Sequence, residues 1–396
     1  MYPKLRLYTL HQQGLTKARP FGKGIEATKR ALEHLGYVQI DTISVIERAH
    51  HHTLWSRIPD YQPDYLERLV EERSVFEYWY HAASYLPMKD YRFVLPQMSA
   101  VKRGVFTYLA NVENKYVDHV IDRIRIDGPL KARNFQSPTR SGSKWWNWKP
   151  TKLALEKLFF QGDLMVAGRD GMEKVYDLRE RVLPEKINTT EPTLREFSEY
   201  LINTTVRAHG FTSLSQLTHL RPGIPLREAL STTLREKIDQ GALVELEVDG
   251  SPTIYIDPEL FEQKLSRPIK SVRLLSPFDN ATIHRDRLKN IFRFDYKLEC
   301  YTPKEKRKYG YFSLPVLYND ALIGRADCKA HRKKHEFEVI SLYIESKNIV
   351  LDEFIGLFLK AVSKLAKFNN CHSVHITNVR PKKLTKMFKM ALAVDA

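Results

Sequence analysis

One plan of helices, a glycine and a two-stranded hairpin recurs along this 396-residue chain, and it limits the fold more than any other feature. The clearest copy covers residues 193–259. TLREFSEYLINTTVRAHG reads as a helix closed by Gly210, and FTSLSQLTHL as a short second helix capped by Thr212 or Ser213. PLREALSTTLREKIDQG is a third helix stopped by Gly241. In ALVELEVDGSPTIYID, Leu246 and Val248 alternate with Glu245 and Glu247, and Asp249-Gly250 supplies the turn, so a hairpin is expected. Three helices and a two-stranded wing are the order of a winged helix-turn-helix.

The middle of the chain follows the same order. NVENKYVDHVIDRIRIDG is a helix closed by Gly128, and PLKARNF is a short second element. After the aromatic loop SGSKWWNWKP comes a third helix, TKLALEKLFFQG, with Thr151 as its expected cap and Gly162 as its stop. DLMVAGRDGMEKVYDL is the hairpin, turning at Asp170-Gly171. Near the N-terminus only two helices are legible, KLRLYTLHQQG and GIEATKRALEHLG, the second with Ile25, Thr28, Leu32 and Leu35 on one face. From about Lys270 the pattern becomes β-rich. FRFDYKLECY, YGYFSLPVLYND, ALIGRADCKAH and KHEFEVISLYIE read as strands, and a helix bearing Phe354, Leu357, Ala361 and Leu365 follows. The expected fold is α+β, with tandem winged helix-turn-helix units followed by a β-rich, barrel-like C-terminal domain. Its expected units are residues 1–110, 111–188, 189–265 and 266–396.

Lys and Arg number 63 against 47 Asp and Glu, a net charge of +16. Such an excess favours a polyanionic partner, because a phosphate backbone releases counterions as cations neutralise it. No basic amphipathic helix with a clean apolar face argues for a membrane surface, and no apolar run reaches 18 residues. The N-terminus lacks the apolar core of a secretory signal. Cys300, Cys328 and Cys371 are odd in number and show no CxxC spacing, so neither a disulfide framework nor a zinc site is expected. A cytoplasmic protein, nucleoid-associated when bound to DNA, fits these features.

The most informative stretch is GYVQIDTISVIERAHHHTLWSR, residues 36–57. If YVQID is extended, Val38 and Ile40 enter the core, while Tyr37, Gln39 and Asp41 share the opposite face. Ser44 and Glu47 have capping-box spacing, which would start a helix at about Val45. Asp41 as an extra helix cap with a solvated Gln39 is the plain alternative.

That stretch, with FEYWYHAASYLP, SGSKWWNWKPTKLALEKLFFQGDL, YDLRERVLP, LLSPFDN, YGYFSLPVL and IGRADCKAHR, resembles the AlkX/AlkZ (YcaQ-type) family of bacterial DNA glycosylases over about residues 5–345. The resemblance implies tandem winged helices and excision of N7-alkylated purines. It also implies a Gln-apolar-Gln or Gln-apolar-Asp catalytic motif, here Gln39-Ile40-Asp41. The aspartate form resembles the AlkX branch, which unhooks interstrand crosslinks of nitrogen-mustard type. The expected enzyme is a monofunctional, monomeric DNA glycosylase without metal or cofactor, acting on double-stranded DNA with alkylated or crosslinked guanine. A crosslinked base cannot rotate into a deep pocket, so the cleft around Asp41 is expected to be open. The competing class is a non-catalytic winged-helix regulator, which needs no carboxylate at position 41.

The remaining expectations concern DNA contact. His50-His51-His52 lack the i, i+4 spacing of a helical metal pair. His50 and His51 are expected at the site or its flanking phosphates, with a surface helix end as the alternative. Arg57 is a candidate phosphate contact. His81 either belongs to a family motif or is packed among Tyr78, Trp79 and Tyr80. Trp145, Trp146 and Trp148 can stack on a base but are favoured as core, with Lys144, Lys149 and Lys152 around them on phosphates. Lys306, Arg307, Arg332 and Lys333 are expected along the duplex path, ordinary solvated turns being the alternative.

Overall fold

The computed structural model describes residues 2–105, 109, 111–135, 148–221, 223–248, 250–265 and 267–395. Helix α1 (Tyr2–Gln12) precedes a first unit made of α2 (Gly24–Leu35), β1 (Val38–Gln39), α3 (Ala49–Trp55), α4 (Pro63–Glu71) and the hairpin β2 (Val75–Trp79) and β3 (Ala83–Pro87). Its sheet has the order β1-β3-β2. This is a complete winged helix. The hairpin escaped the sequence because its turn, Tyr80-His81-Ala82, contains no Gly, Asn or Asp to announce it. α2 ends as expected at Gly36, whose φ of 80° is left-handed and whose N–H bonds the Leu32 carbonyl.

The same order returns twice. α5 (Leu95–Lys102) leads to α6 (Asn114–Asp127), β4 (Leu130–Lys131), α7 (Trp148–Gln161), β5 (Leu164–Asp170) and β6 (Glu173–Leu178), with sheet order β4-β6-β5. Thr151 is not the cap of α7, because the helix already begins at Trp148 and Thr151 is buried in its first turn. Then come α8 (Leu194–His209), β7 (Phe211–Thr212), α9 (Leu214–Leu217), α10 (Ile224–Asp239), β8 (Val244–Leu246) and β9 (Ile254–Ile256), with order β7-β9-β8. The α8 start is a full capping box: Thr193 accepts from the Glu196 amide and Glu196 accepts from the Thr193 amide. Ser213, rather than Thr212, caps α9.

The last part is an open sheet, not a barrel. β10 (Val272–Leu274), helix α11 (Arg285–Phe292), β11 (Ser313–Tyr318), β12 (Ala321–His331), β13 (Glu336–Ile344), α12 (Leu351–Phe368), β14 (Ser373–Arg380) and α13 (Thr385–Asp395) follow in order. The sheet order β10-β11-β12-β13-β14 leaves β10 and β14 as separate edges. β14 joins β13 in parallel through the α12 crossover, and that geometry cannot close a small antiparallel ring. FRFDYKLECY is not a strand. Phe294 and Tyr296 are buried there, yet the segment's bonds are irregular, such as Tyr296 Oη to the Ser313 carbonyl at 2.5 Å.

The units share cores. Leu5, Tyr8 and Leu10 of α1 pack with Phe211, Ile256, Leu288 and Leu317, so the start of the chain belongs with the third wing and the C-terminal part. Ile46 and Ala49, just beyond the QID stretch, join the core of the C-terminal sheet. Thus the segment that carries Gln39 and Asp41 is held from both sides.

Candidate active site

β1 places Gln39. It pairs with Ser84 of β3, and the Ile40 amide extends the ladder to the Ala83 carbonyl at 2.8 Å. Val38 and Ile40 enter one core with Leu54 and Tyr85, while Tyr37 enters another with Tyr78, which is the period-2 alternation expected of YVQID. Beyond Ile40 the strand stops. Asp41 Oδ1 accepts the Ile43 amide at 2.7 Å, a local turn bond that competes with the ladder. The next helix begins only at Ala49, and its N-cap is Arg48 without a side-chain cap. The Ser44–Glu47 box therefore does not form. Glu47 instead accepts the Arg48 amide, and the Ser44 carbonyl accepts from Arg332 at 2.8 Å. The Val45 carbonyl takes the Ala330 amide at 2.8 Å. The loop after Asp41 is thereby fastened to the end of β12.

Gln39 is buried, and among the described residues its one side-chain partner is His81, at 3.0 Å from Gln39 Oε1. An amide oxygen only accepts, so His81 Nε2–H donates. Burial, and then Arg221 and His219, hold His81 down to about pH 4, so the donor is a neutral imidazole. Its ring stands edge-on to Tyr37 at 4.9 Å, and Tyr37 stacks on Tyr80 at 4.5 Å. Gln39 thus has its oxygen engaged, and its NH₂ makes no hydrogen bond among the described residues. Asp41 is half-buried, with Thr42 beside it exposed. Among the described residues no Lys or Arg lies within ion-pair distance of it. Desolvation raises its pKa, and the Ile43 amide pulls in the other direction. Cys300 and Tyr301 are close enough for the Asp41 charge to raise their own pKa values after burial does, and Tyr301 is 82% exposed.

The histidine run has a different role from the one expected. All three are buried, not surface or phosphate-facing. His50 packs on Tyr85 at 5.8 Å, His51 Nδ1 is bonded to the Tyr61 hydroxyl at 2.7 Å, and His52 Nε2–H donates to the Leu274 carbonyl at 2.8 Å. Burial holds all three neutral. Arg57 is no phosphate contact either. It is 1% exposed, and its two Nη atoms bind Asp279 at 2.7 and 2.8 Å, while Nε reaches the Gln13 carbonyl at 2.8 Å. Every guanidinium edge is used inside the protein. Beside Asp279, Asn280 Nδ2 donates to the Tyr37 carbonyl at 3.0 Å. LLSPFDN is therefore the clamp that locks α3 and β1 to the C-terminal part.

The basic candidates divide. Lys152, Lys306 and Lys333 are exposed. Arg307 is half-buried over Tyr311, and Arg332 is used by Ser44 and Asn369. Lys144, Trp145, Trp146 and the side chains of Trp148 and Lys149 lie outside the described residues. Of the residues now seen at the site, His81 was within reach of the sequence, but Cys300 and Tyr301 carried no signal there, since only the tertiary fold brings them to Asp41.

The fold and site define a tandem winged-helix protein whose first unit presents a carboxamide and a carboxylate at the end of its short strand. The description DNA glycosylase AlkZ-like matches residues 32–367, and the chain belongs to the AlkZ-like DNA glycosylase family. It is thus a DNA-repair glycosylase, with DNA as its substrate. The structure of Streptomyces sahachiroi DNA glycosylase AlkZ is similar at a TM-score of 0.63 and 14% identity, covering 96% of this chain and 99% of that one. No helix among the described residues is long and apolar enough to cross a membrane.

Proposed function

We propose that this chain is a monomeric, monofunctional glycosylase of the AlkX branch that hydrolyses the glycosidic bond of N7-alkylated purines and unhooks N7-guanine crosslinks of nitrogen-mustard type. The observation that carries this reading is Asp41: half-buried, free of any cation among the described residues, and two residues from an amide whose oxygen is already engaged.

Alkylation at N7 leaves guanine cationic, so it departs as a neutral base without needing a proton. Positive charge then grows on the sugar. Ionised Asp41 stabilises that charge and takes a proton from the water that attacks C1′. The Gln39 NH₂, aimed by His81, holds that water or the Asp41 carboxylate. The reading requires an approach to Asp41 open enough for a base still tied to the opposite strand, and exposed Thr42 and Tyr301 near it are consistent with that. Exposed Lys152, Lys306 and Lys333 meet backbone phosphates in this reading, and Lys144 and Lys149 join them on their sequence context alone, while exposed Tyr301 beside Asp41 offers a ring to the bases.

The test uses two duplexes, one with N7-methylguanine and one crosslinked between guanines, with and without EDTA. Wild type should yield abasic sites and unhooked strands in both conditions. Asp41→Asn should bind either duplex yet lose roughly 10²–10⁴-fold in rate. Equal rates for Asp41→Asn and wild type would sink the assignment.

A further inference from the structure

A concave site is lined by His81, the partner of Gln39. It is a cavity of about 60 Å³ where three parts of the fold meet. The turn between β2 and β3 supplies His81. The α9 region supplies Gln216, His219 and Arg221. The start of α11 supplies His284 and Arg287.

Arg287 is 3% exposed. Its Nη2 donates to the Asn280 carbonyl, but Nε and Nη1 have no partner among the described residues. Burial lowers its pKa only to about 10, so it is charged at neutral pH. The carboxylate that acts on it, Asp279, is already held through both oxygens by Arg57. Arg221 stacks over Tyr80 at 4.3 Å, and its Nη2 is likewise buried and without a partner. Leaving such donors idle away from water is costly. His284 Nδ1 accepts the Arg287 amide at 3.3 Å, which leaves its Nε2–H as a donor. No carboxylate is among the described residues lining this cavity.

One buried and one half-buried guanidinium, a neutral imidazole donor at His284 and the Gln216 carboxamide, with no acid among the described residues opposing them, match one ligand chemistry. We infer that this cavity binds a phosphate group, and that its occupancy is coupled to the site through His81, which lines the cavity and holds Gln39. The inference rests on the glycosylase reading for its meaning, but not for its measurement. The phosphate has two sources, a backbone phosphate beside the lesion or the free ion, and the experiment separates them.

Inorganic phosphate is titrated into the full chain against chloride at matched ionic strength, and binding is followed by ³¹P line broadening and by Tm. Wild type should bind phosphate, and Arg221→Gln, on a half-buried side chain, should weaken binding about tenfold or more; His284→Ala provides a second variant. Single methylphosphonates are then placed at each phosphate around the lesion, and duplex binding is measured with Asp41→Asn. If the DNA backbone is the source, free phosphate competes with the duplex. One methylphosphonate then weakens binding about tenfold, with no further loss when Arg221→Gln is added. If the source is the free ion, phosphate binds without displacing DNA. Absence of phosphate binding together with indifference to every methylphosphonate overturns the inference. Neither readout involves bond cleavage, so the phosphate site and the hydrolytic reading fail separately.

Discussion

Asp41 is a carboxylate whose charged form is disfavoured by burial and opposed by no cation among the described residues. If it acts ionised, activity falls as pH drops through its own pKa, and the acid limb of kcat/KM should lie above the ordinary aspartate value. Asp41→Asn should remove that limb along with most of the rate; an acid limb that survives in Asp41→Asn would assign it to another group. Arg57 and Asp279 make a different prediction, because each is fully buried and each satisfies the other. Arg57→Met leaves an unpaired buried carboxylate and should cost about 3–5 kcal/mol in urea unfolding. Adding Asp279→Leu should restore much of it, and a single variant as stable as wild type would show the pair to be dispensable. The extended YVQI stretch, with Val38 and Ile40 in one core, was legible in the sequence because alternation is local, whereas only the family resemblance singled out Gln39 and Asp41 for chemistry. Arg57 was misread because its partner lies 222 residues away. A guanidinium in an otherwise polar stretch looks the same whether it faces phosphate or a distant aspartate.

At the scale of the element, α3 stands out as a helix that buries three consecutive histidines. Burial lowers their folded-state pKa values, to about 3 for His51 and about 4 for His52. The unfolded chain therefore binds more protons below its ordinary histidine pKa of about 6.5. Stability should be fully present above that value and fall as pH drops from about 6.5 towards 4, by about 1.4 kcal/mol per pH unit for each such histidine. His52→Gln should flatten the slope of unfolding free energy against pH by about one proton, and an unchanged slope would mean that His52 titrates normally. A second element-scale prediction concerns the loop before β11. Gly310 has φ 129°, and a Cβ there would strike the Asp327 carboxylate, which accepts the Tyr311 and Phe312 amides. Gly310→Ala should lower Tm by several degrees, because it disturbs both the backbone and that anchor. Helices with glycine stops were readable since their signals sit at their ends. The first hairpin lacked turn residues, and FRFDYKLECY alternates like a strand but has no ladder partner to make it one.

Over the whole molecule, the excess of 16 positive charges should make duplex binding strongly salt-dependent. Lys306→Glu and Lys333→Glu should each reduce the slope of log K against log salt by about one if they meet phosphates, measured on an undamaged duplex. Slopes equal to wild type would move the DNA path elsewhere. The repeated helix–wing order was visible from glycine spacing and hairpin alternation in the second and third units. The open sheet could not be told from a barrel, since alternation reports that strands are half-buried but not which edges remain unpaired. Nor could composition reveal that α1 leaves the first unit for a core built with Phe211, Leu288 and Leu317.

The clamp between Arg57 and the Asp279-Asn280 pair also bears on the order of synthesis. As the chain leaves the ribosome, the strand bearing Gln39 appears early, but the groups that lock it arrive more than 200 residues later. Until then Arg57 has no buried counter-charge and the Tyr37 carbonyl lacks its donor. A nascent or prematurely terminated chain therefore carries Gln39 and Asp41 without the frame that holds them, and if they do the chemistry, competence to cut the glycosidic bond arrives only when translation has passed the LLSPFDN segment.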